Sequence, residues 1–194
     1  MIELQFGKTF FRLRFGFFAS LALLFLFYEG KTALWSLYAC LIHEAGHLFA
    51  MYFCGVPVRS VMLYGAGIRI DCKNPRQFLP PFTDFFILSA GPAVNFAVCL
   101  YCMLFFENTN LRLFGAVNLV IGLFNLLPLT QFDGGRIISA LTRVLCNAEK
   151  AEALDNFRRK SDLFVIPAAA IVFFALGNRN ITLYVTLAYF MAVH

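Results

Sequence analysis

The sequence His43-Glu44-Ala45-Gly46-His47 lies inside an otherwise apolar run from Ala33 to Cys54. Residues four apart stack on one face of a helix, so the imidazoles of His43 and His47 can point at one metal ion. Glu44, one position further round, can take a proton from an attacking water and pass it to a leaving amide nitrogen. Ionisable groups in the middle of a hydrophobic helix are costly in lipid and mark functional sites. The pattern therefore predicts a zinc site with its own general base, buried in a membrane.

The composition is that of a membrane protein. Of the 194 residues, 60% are hydrophobic and 14% are charged, whereas soluble domains have about 25% charged residues. The net charge of +5 would suit nucleic-acid binding, but the basic residues lie between apolar runs and are better explained by membrane orientation. We expect a lipid bilayer as surroundings and no nucleic-acid partner. The six cysteines lie mostly in apolar runs and are expected to be reduced and buried.

Six apolar runs divide the chain, and a transmembrane helix needs about 20 residues. The runs are Phe15–Tyr28, Ala33–Cys54, Phe82–Phe106, Leu111–Pro128, Leu163–Leu176 and Ile181–Val193. The second, third and fourth are long enough, and the others are short. We expect an all-α polytopic protein with about six transmembrane helices, forming a single membrane-embedded domain over residues 1–194. The charged segment Ala148–Lys160 is expected to be a solvated surface helix.

The basic residues indicate an orientation. If the N-terminus is cytoplasmic, all but three of the 16 lysines and arginines fall in cytoplasmic segments, as the positive-inside rule requires. The exceptions are Lys31, Arg112 and Arg179. We therefore expect a multi-pass protein of the cell membrane, with both termini cytoplasmic and the metal site toward the cytoplasmic side.

Three stretches depart from a helical pattern. The glycine-rich segment Val58–Asp71 contains an alternation typical of strands, which predicts a small β-hairpin or re-entrant loop after the second span. Its edge could hold an extended peptide, or the segment could be a structural connector. The sequence Gly91-Pro92-Ala93-Val94-Asn95 is expected to interrupt the third span, and Asn125–Arg136 to close the fourth. Both breaks should face the same interior as the histidines, because irregular backbone is not tolerated against lipid.

Amides that lie within apolar runs need hydrogen-bonding partners. Asn95 and Asn125 could bind the backbone of a substrate or orient metal ligands. They could also be polar contacts that hold membrane helices together.

A catalytic zinc usually takes three protein ligands and leaves a fourth position open. The only histidine besides His43 and His47 is His194, at the end of the sequence, so the third ligand should be a carboxylate or a cysteine. Most carboxylates fall in polar termini or loops. Asp133 follows a broken apolar span and precedes two glycines that allow close backbone approach. Cys40, on the same helix face as His43, is the weaker candidate.

Three motifs, in this order, resemble the site-2 protease family of intramembrane zinc metalloproteases. They are the His-Glu-Ala-Gly-His sequence, Gly91-Pro92-x-x-Asn95, and Asn125-x-x-Pro128-x4-Asp133-Gly134. The resemblance covers about Ala33 to Arg136. The lack of an inserted PDZ domain and the six-span plan look most like the sporulation-factor branch, whose members cleave the membrane-associated pro-sequence of a sigma factor.

The resemblance implies one zinc ion per chain and a catalytic role for Glu44. The zinc ligands that it implies are His43, His47 and Asp133. The residues that it implies for positioning the substrate are Asn95, Asn125 and Pro128. In two respects this chain departs from relatives: Thr130-Gln131-Phe132 stands where relatives often carry another proline, and the sporulation branch commonly appends a nucleotide-binding CBS domain, which is not expected here.

The expected function is that of an intramembrane zinc endopeptidase. It would hydrolyse a peptide bond in or next to a transmembrane segment of a membrane-associated substrate, such as a sigma-factor precursor or another membrane-anchored regulator. A membrane-protein inhibitor or regulator would be a further partner, and a homo-oligomer stays open. The alternatives are a catalytically inactive metal-binding regulator or scaffold, which would not need Glu44, and a metal transporter, which would need metal sites along a continuous path.

Overall fold

The computed structural model describes residues 2–6, 9–13, 30–64, 67–72, 79–175 and 177. They belong to two compact units, Met1–Leu126 and Leu127–His194. The first unit contains the strands and helices β1 (Ile2–Phe6), β2 (Thr9–Leu13), α1 (Gly30–Phe53), β3 (Val58–Tyr64), β4 (Gly67–Cys72), α2 (Pro81–Phe105) and α3 (Thr109–Asn125). The second unit contains α4 (Asp133–Leu145) and α5 (Ala148–Ala175).

Helices α1, α2 and α3 coincide with the second, third and fourth apolar runs. Helix α2 begins with Pro81, whose missing N–H is not needed in the first turn. Helix α3 is capped by Asn108, whose side chain accepts a hydrogen bond from the backbone N–H of Asn110 at 2.9 Å. Within the described part of the chain, α2 is the one helix long and apolar enough to cross a membrane. The mostly helical architecture is therefore confirmed, and the count of six spans stays a prediction. The first and sixth runs lie outside the described residues.

The predicted interruption of the third span is wrong, because α2 continues through Pro92. A proline inside a helix removes one backbone hydrogen bond and crowds the preceding turn. Neighbouring helices can compensate for that loss in a bundle, and α2 packs against both α1 and α3. Pro92 is fully buried. Tertiary packing thus overrides the local tendency of proline to end the helix.

The β-structure is larger than the predicted hairpin. Strands β3 and β4 do form an antiparallel hairpin, as expected, but they belong to a four-stranded sheet of order β1-β2-β3-β4. Strand β2 pairs with β3 in parallel, and β1 pairs with β2 antiparallel. Glu3 and Arg12 stand opposite each other in this pair, with Oε1 and Nη2 3.1 Å apart. The all-α prediction therefore missed the two N-terminal strands.

A small hydrophobic core joins α1 and α2 to the hairpin of β3 and β4. Its buried members are Ala50, Met51, Val56 and Ile87, from the end of α1, the segment after it and the first half of α2. Side chains from both hairpin strands, including Val58 and Ile70, pack against them. This contact fixes the hairpin close to the part of α1 that carries the two histidines.

In the second unit, the predicted surface helix and the fifth apolar run form one continuous helix, α5. Most side chains of the segment Ala148–Lys160 that the structure describes are exposed, as predicted, but Ala151 is buried. Asp162 marks the change from the charged to the apolar half, and it is 3% exposed. The charged and the apolar halves are therefore parts of one helix.

Helices α2 and α3 lie close together near Gly115. A Cβ atom placed there would lie 2.8 Å from the Cβ of Cys102 and 3.4 Å from the backbone oxygen of Cys99. Small residues at such positions let the backbones of membrane helices come close together. The contact has no room for a larger side chain.

Gly115→Leu is expected to destabilise the protein by about 1–3 kcal/mol, because overpacking forces the two helices apart. The measurement is the free energy of unfolding in detergent. Gly30→Leu is the control, since a Cβ atom there meets nothing within 4 Å among the described residues. Equal effects of the two substitutions would show that α2 and α3 are not in close contact at Gly115.

Candidate active site

The two histidines of the motif face one point, as their spacing predicted. His43 and His47 lie one turn apart on α1, and their residues are 4% and 5% exposed. Their Nε2 atoms are 3.2 Å apart, and their rings are nearly perpendicular, at 84°. Two nitrogen ligands of one tetrahedral zinc ion would be separated by about 3.3 Å, given Zn–N distances of about 2.0–2.1 Å. The observed separation therefore fits two ligands of the same ion.

The outer nitrogen of each ring contacts an oxygen that can only accept a hydrogen bond. The Nδ1 atom of His43 lies 2.6 Å from Oδ1 of Asn95, and Nδ1 of His47 lies 2.8 Å from the backbone oxygen of Ile87. Each Nδ1 must therefore carry the proton, and the lone pair of the neutral ring is on Nε2. Two lone pairs at 3.2 Å repel each other unless a cation lies beside both. The donor set thus fits a metal ion, and the contacts to Nδ1 are those that orient metal-binding histidines.

Gly91 lets α2 lie directly against these rings. A Cβ atom at this position would overlap Nε2 of His47 and would lie 2.9 Å from Cε1 of His43. Only glycine leaves room for both imidazoles. The Gly-Pro pair was predicted as a helix break, but Gly91 instead provides a close approach between two continuous helices. The expectation that it faces the histidines is confirmed.

The other candidates on α1 differ in exposure. Glu44 is partly buried, less so than the two histidines, which suits a carboxylate that must exchange protons with water. Cys40 is exposed. A thiol on the exposed side of the helix is not grouped with the buried imidazoles, so Cys40 gains no support as a ligand.

The two amides differ in burial and in hydrogen-bonding partners. Asn95 is fully buried, and its side chain contacts His43, the backbone oxygen of Ala39 and the side chain of Asn118. These contacts favour the orientation of a metal ligand over contact with a substrate. Asn125, at the end of α3, is partly buried, and its Nδ2 donates to the backbone oxygen of Ile121 at 3.0 Å. The amide of Asn118 was missed in the sequence.

In the second unit, Asp133 begins α4 and is 7% exposed. A carboxylate in the first turn is favoured by the positive end of the helix dipole. Gly135, two residues later, faces the preceding turn so closely that a Cβ atom would overlap the backbone oxygen of Leu129. The prediction of close backbone approach is thus confirmed at Gly135. Pro128 is exposed in the turn that precedes them.

Asp162 holds this turn against α5. Its Oδ2 accepts hydrogen bonds from the backbone N–H of Thr130 at 2.8 Å and from the Thr130 hydroxyl at 2.6 Å. Thr130 belongs to the segment Thr130-Gln131-Phe132, which directly precedes Asp133. A pair of hydrogen bonds to a buried carboxylate thus restrains the turn before Asp133. The sequence feature that could have identified Asp162 is its position immediately before an apolar run.

Comparison with known proteins identifies the family of the chain. Residues 32–111 and 108–159 match the model of Peptidase family M50, and because the match covers more than half of the chain, the chain belongs to that family. The resemblance to site-2 proteases noted in the sequence is thereby confirmed.

Two curated relatives are similar over part of their length. A zinc metalloprotease from Methanocaldococcus jannaschii is 30% identical over 132 residues, which are 58% of this chain and 38% of that protein. A candidate zinc metalloprotease from Synechocystis sp. is 28% identical over 120 residues, which are 57% of this chain and 31% of that protein. The chain thus spans less than two fifths of the length of these relatives.

A solved structure has the same fold. The site-2 protease from Methanocaldococcus jannaschii matches 98% of this chain and 91% of its own chain, with a TM-score of 0.71 and 21% identity.

Removal of the Asp162 carboxylate is expected to destabilise the protein. Asp162→Ala should cost about 1.5–3 kcal/mol, because hydrogen bonds to a charged acceptor contribute more than neutral ones. Thr130→Val removes only the hydroxyl donor, so its cost should be smaller. The measurement is the free energy of unfolding in detergent. Glu152→Ala, on the exposed surface of the same helix, is the control, and an Asp162→Ala variant as stable as this control would contradict the restraint.

Proposed function

We propose that the chain is an intramembrane zinc endopeptidase that hydrolyses a peptide bond in or next to a transmembrane segment of a membrane-associated protein. The buried imidazoles of His43 and His47, with Nε2 atoms 3.2 Å apart and both Nδ1 atoms engaged by oxygens, carry this proposal. Membership of Peptidase family M50 and the names of the relatives as zinc metalloproteases support it.

The proposed ligands of one zinc ion per chain are His43, His47 and Asp133. Two imidazoles and a carboxylate are a donor set of catalytic zinc sites, which keep a further position open. Asp133 is supported by its burial and by its place in the third motif of the chain. When bound, the zinc ion would act as a Lewis acid on the scissile carbonyl group.

Glu44 is the proposed general base. Its carboxylate takes the proton from the attacking water and delivers it to the amide nitrogen as the peptide bond breaks. Its partial burial allows contact with water. Meanwhile the contacts of Asn95 and Ile87 to the two Nδ1 atoms hold the imidazoles in place, so the site does not have to reorganise during the reaction.

Asn125 and Pro128 are proposed to help position the substrate. The partial burial of the Asn125 amide and the exposure of Pro128 leave both within reach of a bound chain. Asn95 is not included, since it is fully buried and engaged with His43.

The proposed location is the cell membrane, in a multi-pass topology with both termini cytoplasmic and the metal site toward the cytoplasm. The distribution of basic residues and the apolar length of α2 support it. Acting as a single metalloprotease domain, the protein would receive a membrane-anchored regulator or a sigma-factor precursor as substrate. A membrane-protein inhibitor is the proposed regulator of this activity.

Glu44→Gln is expected to lower the cleavage rate by about 100- to 10,000-fold, the range that general acid–base groups contribute. The fold and the zinc content should not change, because glutamine has the shape of glutamate and Glu44 is not a proposed ligand. The measurement uses liposomes that contain the protein and a panel of single-span substrates, including a membrane-associated sigma-factor pro-sequence. New peptide termini are detected by mass spectrometry.

Glu149→Gln, on an exposed side chain of α5, is the matched control and should cleave at the wild-type rate. Turnover by Glu44→Gln equal to that of the control would contradict the mechanism. Zinc binding by wild type without cleavage of any substrate, in a protein that is folded, would favour a metal-binding regulator instead.

A further inference from the structure

Asn118 is a buried amide in the middle of α3, and it is 0% exposed. Its Nδ2 donates to the backbone oxygen of Phe114, one turn earlier, at 2.9 Å. Because a carbonyl oxygen can only accept, this contact determines which end of the Asn118 amide is the nitrogen. The Oδ1 atom therefore faces the neighbouring helix α2 as an acceptor.

Asn95 is oriented by that acceptor. Its Nδ2 donates to Oδ1 of Asn118 at 2.8 Å and to the backbone oxygen of Ala39 at 3.2 Å. Rotating the Asn95 amide by half a turn would place its oxygen against two other oxygens in a buried site, and both hydrogen bonds would be lost. The Oδ1 atom of Asn95 must therefore point at His43, and it lies 2.6 Å from Nδ1 of that ring.

The orientation of Asn95 determines which nitrogen of His43 binds metal. If its NH2 group faced the ring, Nδ1 would have to accept, and the proton of a neutral imidazole would move to Nε2. The Nε2 atom, which faces His47, would then have no lone pair to donate. At His47 the corresponding contact is to a backbone atom, since its Nδ1 lies 2.8 Å from the oxygen of Ile87.

We propose, on the basis of the zinc site proposed above, that Asn118 is a positioning residue of the metal centre. It acts through Asn95, and the two amides form a directed series of hydrogen bonds from the backbone of α3 to the imidazole of His43. Each of the helices α1, α2 and α3, the ones that the structure describes in the first unit, contributes to it. The tautomer of His43 is thereby set by a residue that does not contact the ion.

Two other roles for these amides predict different experimental results. If the Asn95–Asn118 pair only held α2 and α3 together, its loss would lower stability without a specific change in zinc affinity. If Asn95 instead bound the substrate, its loss would raise KM and leave zinc affinity unchanged. Zinc affinity therefore separates these roles, and it can be measured without any substrate.

The experiment measures zinc affinity of the detergent-solubilised protein by competition with a chromophoric chelator, together with unfolding free energy. Asn95→Leu should lower the affinity by about 10- to 100-fold, as loss of contacts to metal-binding histidines does. Asn118→Leu should also lower the zinc affinity, but by a smaller factor, because the backbone oxygen of Ala39 still accepts a hydrogen bond from the Asn95 amide.

Asn118→Asp is the conservative variant. A buried aspartic acid can remain protonated, donate to the Phe114 backbone oxygen and still accept from Asn95, so its zinc affinity should be close to that of the wild type. Cys102→Ala is the packing control, because Cys102 is buried at the same α2–α3 contact but belongs to no part of the series. It should lower stability without lowering zinc affinity.

The outcomes are separable. The positioning role is supported if the wild type binds zinc, Asn118→Leu binds it more weakly, and Asn118→Asp binds it about as tightly as the wild type. Wild-type affinity in Asn118→Leu overturns it and leaves the proposed protease intact. If Asn118→Leu does not fold, Asn118→Ala gives the same comparison without added bulk. Wild type that binds no zinc overturns the proposed function, and the positioning role with it.

Discussion

Two imidazoles buried one turn apart on α1 impose the constraint on which the rest of the first unit depends. Each ring needs an acceptor for its outer N–H, because an unsatisfied polar group in an apolar interior is costly. His47 obtains it from the backbone of α2 at Ile87, and His43 from the side chain of Asn95. Both contacts require α2 to lie against the histidines, which the missing side chain of Gly91 permits.

The same requirement extends to the third helix. The amide of Asn95 brings two donors and an acceptor into the interior, and Asn118 of α3 satisfies one of them. Hydrogen bonds between helices are a general means of association in membranes, where the hydrophobic effect gives little help. Here the hydrogen bonds also determine orientation, since Asn118 orients the amide of Asn95 and Asn95 orients the ring of His43. In the second unit, Asp162 and the close packing at Gly135 similarly restrain the turn that precedes Asp133.

Sequence reasoning succeeded where the signal is local. The spacing of His43 and His47 follows from helical periodicity, and glycines beside Asp133 predict close backbone approach. It failed where distant contacts decide the outcome: Pro92 does not break α2, because packing on both sides stabilises the helix. The N-terminal strands were missed because β2 pairs in parallel with β3, about 50 residues further along the chain. Asn118 lies in an apolar run, as Asn95 and Asn125 do, but it was missed because it belongs to none of the three motifs.

Metal content tests the central claim most directly. Elemental analysis of the purified, detergent-solubilised protein should find about one zinc ion per chain in the wild type. His43→Ala and Asp133→Ala should lose or weaken it, and Cys40→Ala, which alters an exposed residue of α1, should retain it. A folded wild type without zinc, or with zinc that is unaffected by both ligand substitutions, would contradict a zinc site formed by the paired histidines and Asp133.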